Sequence, residues 1–169
     1  MGTDFSLEAT ESTLPSPNSY LKIPEIKGDA LHKEYRDQIA ISTFMLHQSQ
    51  SKDVTSGESK SSVSIQDIEL VAPGSSASPL LMQYSATGKH IKSVKLTVLS
   101  SDAQKVIMTI ELTDVIISSY SASAAGSGHP IDHFTLNFRK IEFRYTGPKP
   151  DGSPGKNTSG EYDLGKVDQ

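Results

Sequence analysis

His129, Asp132 and His133 are the first residues whose spacing could hold a metal ion. On a helix, positions i and i+4 place two imidazoles on one face. Here the stretch enters a β-patterned run, where four residues of extended chain separate the rings by about 13 Å, too far for one ion. No metal site is expected there. His32 with Glu34 and Asp37 forms a looser group in a turn, and His47 and His90 read as polar residues at strand ends. Serine supplies 26 of 169 positions, so no single one stands out as a nucleophile. No Gly-x-Ser-x-Gly elbow or phosphate-cradling glycine loop opens a helix. Cysteine is absent, which removes disulfides, thiolate catalysis and thiolate metal sites together. Arg139, Lys140, Arg144 and Lys149 make a small basic patch, read as solvated strand positions or as ion pairs across a subunit contact. Asn157-Thr158-Ser159 is a glycosylation sequon that matters only on a secretory route. The expectation is a protein without catalysis, metal or cofactor.

Composition narrows the class further. Hydrophobic residues make up 35% and charged residues 21%, enough apolar material for one core. No apolar run approaches the roughly 20 residues that cross a bilayer, so no membrane insertion is expected. A net charge of −4 argues against nucleic-acid binding, which needs a positive surface to release counterions. Residues 1–19 contain Asp4, Glu8, Glu11, Pro15 and Pro17 but no Lys or Arg, and read as a disordered acidic tail ahead of a single domain over 20–169. The Met-Gly-x-x-x-Ser start fits a loose myristoylation pattern, but its acidic neighbours would be repelled by an anionic membrane. Nothing in the opening residues reads as a cleaved signal peptide.

The elements that must position any site are mostly short strands. Tyr20, Leu21, Ile23 and Ile26 form the first, followed by a turn at Gly28-Asp29. A second runs from about Gln38 to His47, with Ile39 and Ile41 on one face and Phe44 and Leu46 on the other. Gln48 to Ser62 is a serine-rich loop of unusual length. Val63 to Val71 reads as a strand with a face switch that a one-residue bulge would repair. The helix spans Pro79 to Thr87, with Ser78 as N-cap, Gly88 after its end and Leu80, Leu81, Tyr84 and Thr87 as its apolar stripe. Val94, Leu96 and Val98 point inward from the next strand, with Ser93, Lys95 and Thr97 outward. Lys105 to Ser118 follows, its Val115-Ile116-Ile117 apolar on both faces. Ser118 to His129 reads as a linker, Ile131 to Tyr145 as the longest strand, and Glu161 to Val167 as the last.

This pattern predicts a mainly β protein, a small antiparallel β-barrel or sandwich with one short flanking α-helix and an extended loop. Strands apolar on two faces need a second covering that one short helix cannot supply, so self-association is expected. A secreted or surface-displayed β-sandwich binding a glycan or protein is the alternative. A hydrolase with a scattered Ser, His and Asp set is a third reading.

Several segments resemble one family. Ile65-Gln66-Asp67-Ile68-Glu69-Leu70, Ala77-Ser78-Pro79-Leu80-Leu81-Met82-Gln83 and Ala86-Thr87-Gly88-Lys89-His90 are similar to the strand, helix and turn of the Hcp proteins, the haemolysin co-regulated tube proteins of bacterial type VI secretion. Leu112 to Ser121, Phe134 to Tyr145, and Leu21-Lys22-Ile23 with Ile26-Lys27-Gly28 resemble other strands of that family, in the right order. The resemblance implies homohexameric rings that stack into a hollow tube, a contractile sheath and tip proteins as partners, and small effector proteins in the lumen. It implies assembly in the bacterial cytoplasm and then export to the extracellular space or a target cell. It assigns the stacking loop to Gln48, Ser51, Lys52, Asp53, Val54, Gly57 and Glu58. It further implies subunit contacts at Leu80, Leu81, Tyr84, Ile116 and Ile117, and a lumen-facing Met45.

Overall fold

A computed structural model describes residues 18–51, 62–102, 105–126 and 128–166. Of the N-terminal tail, residues 1–17 lie outside the described residues, while Ser19 already belongs to the first strand, β1 (Ser19–Lys22). The other strands are β2 (Ile39–Ala40), β3 (Thr43–Met45), β4 (Gln48–Ser51), β5 (Ser62–Ile65), β6 (Ile68–Pro73), β7 (Ile91–Leu99), β8 (Val106–Ser123), β9 (Ile131–Pro148) and β10 (Pro154–Asp163). The helix α1 (Ser78–Thr87) lies between β6 and β7. The main sheet is antiparallel with the order β2-β1-β7-β8-β9-β6-β3, and β10 pairs with β9 beside this path. β4 and β5 form a separate two-stranded sheet.

The two ends of the main sheet belong to one stretch of chain. Ile41 donates its N–H to Ser19 at 2.9 Å, and the next residue, Ser42, donates to Val71 at 2.8 Å. The curled sheet therefore closes on itself at Ile41-Ser42. The face switch expected inside one strand from Gln38 to His47 is in fact this crossing: Ile39 and Ile41 serve the β1 side, Phe44 and Leu46 the β6 side, and all four pack on the same core. A similar correction applies to Val63–Val71. Its switch is a two-residue break at Gln66-Asp67, where the chain passes from the small sheet to the main one, instead of a one-residue bulge.

The core follows the register. Leu21, Leu96, Ile110 and Phe143 stand opposite one another across β1, β7, β8 and β9. Ile68, Leu70, Phe134, Leu136 and Phe138 close the other side. Each fully buried Leu, Ile or Phe contributes about 1.5–3 kcal/mol of transfer free energy. Beside a register shift between Val98 and Leu99, Val98 is half-buried, while Thr97, expected outside, is buried next to a second small cluster of Tyr20, Ala30, Leu99 and Tyr35 on the opposite face. Asp114 takes a left-handed backbone (φ 54°), and beyond it the buried positions of β8 move from Ile110 and Leu112 to Val115 and Ile117.

Two strands outrun their hydrophobic pattern. β8 continues through Ser123 because Ser119–Ser123 pair with Thr135–Ile131 of β9, so the first half of the expected linker is strand. β10 starts at Pro154 and ends at Asp163, earlier than the expected Glu161–Val167, since it is held by the free edge of β9 and not by burial.

α1 ends as expected: Gly88 adopts φ 62° and its N–H caps Tyr84 O. A β-carbon there would meet nothing within 4 Å, so substitution tests the backbone alone. Gly88→Ala should cost about 1 kcal/mol in urea denaturation and Gly88→Asn less, because Asn tolerates the left-handed region. An unchanged urea midpoint for the alanine variant would refute the cap.

Candidate assembly surfaces

α1 is anchored at both ends by polar groups. At its start the sequence points to Ser78 as N-cap, but Ala77 occupies that position and makes no side-chain cap. Ser78 Oγ instead donates to Asp132 Oδ2 on β9, and accepts the N–H of Ser75 at 2.9 Å. Tyr120 OH on β8 donates to Asp132 Oδ1 at 2.9 Å. Asp132 is only 1% exposed, so one buried carboxylate ties helix, β8 and β9 together. Burial, and then the Asp132 hydrogen bond, raise the Tyr120 pKa and keep it a neutral donor. The sequence carried a signal for Asp132: it shares strand parity with the core residues Phe134, Leu136 and Phe138, where an acid is out of place.

At the other end, Tyr84 OH donates to Glu25 Oε2 at 2.9 Å, and Lys89 Nζ lies 2.7 Å from Tyr84 OH and 2.9 Å from Glu25. Just before the start of the helix, Asp29 accepts both the N–H and the hydroxyl of Ser76. Lys89 and Tyr84 hold Glu25 below its ordinary 4.5, and Ser76 holds Asp29 below its ordinary 3.8. Folded values below unfolded ones mean that this stabilisation is fully present above about pH 4.5 and is lost as pH falls through the lower folded values. The stability gap between wild type and the Glu25→Gln/Asp29→Asn variant should therefore stay constant above about pH 5 and close toward pH 3. Parallel urea midpoints across that range would refute it.

The expected apolar stripe of α1 divides. Leu81 and Tyr84 face the core, whereas Leu80 and Met82 are 36% and 50% exposed and Thr87 points to solvent. Ile117 is buried, and Ile116 is half-buried in a shallow groove with Ile65, Phe138 and Leu164. Met45 is 56% exposed on β3, opposite the exposed Glu69. Gln48 and Ser51 belong to the β4–β5 hairpin, which leaves the barrel where Gln66 N–H meets His47 O. The remaining loop residues, Lys52, Asp53, Val54, Gly57 and Glu58, lie outside the described residues.

The groups with chemical potential stay apart. Among the described residues, no three His, Asp or Glu side chains gather into a set that could hold a metal ion. His129 and His133 are exposed, and His90 pairs with Asp114 at 2.9 Å. Three members of the basic patch are matched within the chain: Arg139 with Asp163, Lys140 with Glu161 and Arg144 with Glu142. No helix among the described residues is long and apolar enough to cross a membrane.

A curled antiparallel sheet with one docked helix and a two-stranded arm defines a small protein of the β-barrel class. Residues 20–145 match the family described as type VI secretion system effector, Hcp, and the chain belongs to that family. It is 27% identical over 139 residues to protein hcp1 of Pseudomonas aeruginosa, covering 79% of this chain and 86% of that one. A crystal structure of a type VI secretion system effector from Yersinia pestis superimposes with a TM-score of 0.70 at 28% identity, over 86% of this chain and 98% of the other. Hcp1 from Salmonella typhimurium gives 0.73 at 21% identity, over 87% and 94%, which speaks for the fold alone.

Proposed function

We propose that this chain is a structural subunit of the inner tube of a type VI secretion machine, without catalysis of its own. Six copies close into a ring, and rings stack into a hollow tube that can carry small effector proteins. The tube assembles in the bacterial cytoplasm beside a contractile sheath and tip proteins, and then leaves the cell. In this reading the exposed flanks of α1, at Leu80 and Met82, meet the neighbouring subunit, with Ile116 in its groove as a second contact. The arm that begins with Gln48–Ser51 reaches the next ring, and Met45 faces the lumen.

Membership of the Hcp family supports the role. The observation that carries the assembly reading is the helix: its ends are fixed by buried or paired polar groups, while two large apolar side chains, Leu80 and Met82, are left 36% and 50% exposed in one subunit. Such a contact is heterologous, and it closes into a ring when its rotation is an integral fraction of a turn. Light scattering on purified protein should give six times the 18.2 kDa chain mass. A strict monomer at high concentration would overturn the reading.

A further inference from the structure

Lys22 on β1 and Lys95 on β7 stand directly opposite in register. Like charges in that arrangement repel. Lys95 is relieved by Glu111 at 3.1 Å, whereas Lys22 makes no ion pair among the described residues. Both lysines line a groove of about 350 Å³ with Tyr35, Gln38, Thr97, Val106 and Thr109. With Lys95 already matched by Glu111, the Lys22 ammonium group, three hydroxyls and an amide remain to receive an anion. Burial raises the Tyr35 pKa, so its hydroxyl remains a donor.

We propose that carboxylates of the chain's own N-terminal segment, residues 1–17, occupy this groove by pairing with Lys22. That segment holds Asp4, Glu8 and Glu11 and no Lys or Arg, and it precedes the stretch that matches the family. The chain enters the fold beside the groove. Leu99 donates its N–H to Asn18 O at 2.7 Å, and Tyr20 stands in register with the groove residue Thr97. Lys22 lies about 13 Å along β1 from Asn18, at roughly 3.3 Å per residue. Glu11, seven residues before Asn18, reaches about 23 Å when extended, and Glu8 reaches further. Charge complementarity and reach thus both favour this occupant, independently of ring assembly.

A carbodiimide couples a carboxylate to an ammonium group held in an ion pair, and peptide mapping then locates the link. Full-length protein should give Lys22–Glu8 or Lys22–Glu11 links that disappear in about 0.5 M salt, where screening shortens to a few ångströms. In rings reassembled from equal amounts of heavy and light copies the links should join like with like; a heavy–light share of about one half would overturn the same-subunit seat. Asp4→Asn/Glu8→Gln/Glu11→Gln should raise acylation of Lys22 by acetic anhydride about threefold, the range of an exposed ion pair, with Lys27 unchanged. Absence of links, or Lys22 acylation equal in wild type and triple variant, would overturn the proposal, whether the groove is open to water or covered by another subunit.

Discussion

Asp132→Ala will lower the melting temperature by about 6–12 °C, a loss of about 3 kcal/mol at 2–4 °C per kcal/mol for a domain of this size. The physical origin is the loss of two hydrogen bonds to a charged, buried acceptor, worth about 1.5–3 kcal/mol each. Removing the carboxylate does more than delete its bonds. It leaves the Ser78 and Tyr120 hydroxyls facing a site without an acceptor, so the relief of desolvating one charge does not compensate. Asp132 also lies at the amino end of α1, where the helix dipole favours negative charge. Ser78→Ala alone should cost less, about 1 kcal/mol. Together with Asp132→Ala it should add little, because both changes delete the same contact. Thermal and urea unfolding of the two single variants and the double variant settles the matter. A loss under about 0.5 kcal/mol for Asp132→Ala, or simple additivity, would show that the carboxylate does not hold the helix.

The second large effect concerns assembly. Leu80→Asp/Met82→Asp should convert hexamers to monomers, taking the scattering mass from six times 18.2 kDa down to a single chain. Met82 is half-exposed and Leu80 about one third exposed in one subunit, so the monomer should stay folded with a modest loss of melting temperature. Placing two carboxylates in a dry contact should cost about 4 kcal/mol or more, roughly a thousandfold in dissociation constant. Tyr84→Asp is the wrong probe, since Tyr84 is buried and its loss damages the barrel itself. An intact hexamer from the double variant would move the subunit contact away from α1.

The sequence and the structure divide the explanation along physical lines. Local signals placed what local chemistry controls. Pro79 and Gly88 bracket the helix, and period-2 alternation finds the cores of β7, β8 and β9 at Val94, Leu96, Ile110, Phe134 and Leu136. The order of those segments was also enough to show resemblance to the Hcp family. Three things needed tertiary structure. A face switch in a β run reads the same whether it comes from a bulge, a left-handed residue or a strand changing sheets. Only the pairing of Ile41 with Ser19 and Ser42 with Val71 shows that the switch near Ser42 closes the barrel. Strands held by edge pairing without burial, Ser119–Ser123 and Pro154–Glu161, carry no apolar alternation, so nothing in their composition announces them. The division of the helix stripe, with Leu81 and Tyr84 inward and Leu80 and Met82 outward, depends on the angle at which Asp132 and Glu25 pin its two ends. Hydrophobic periodicity is a property of neighbours in sequence. Closure, edge pairing and helix orientation are set by partners up to 60 residues away, and only the folded chain brings those together.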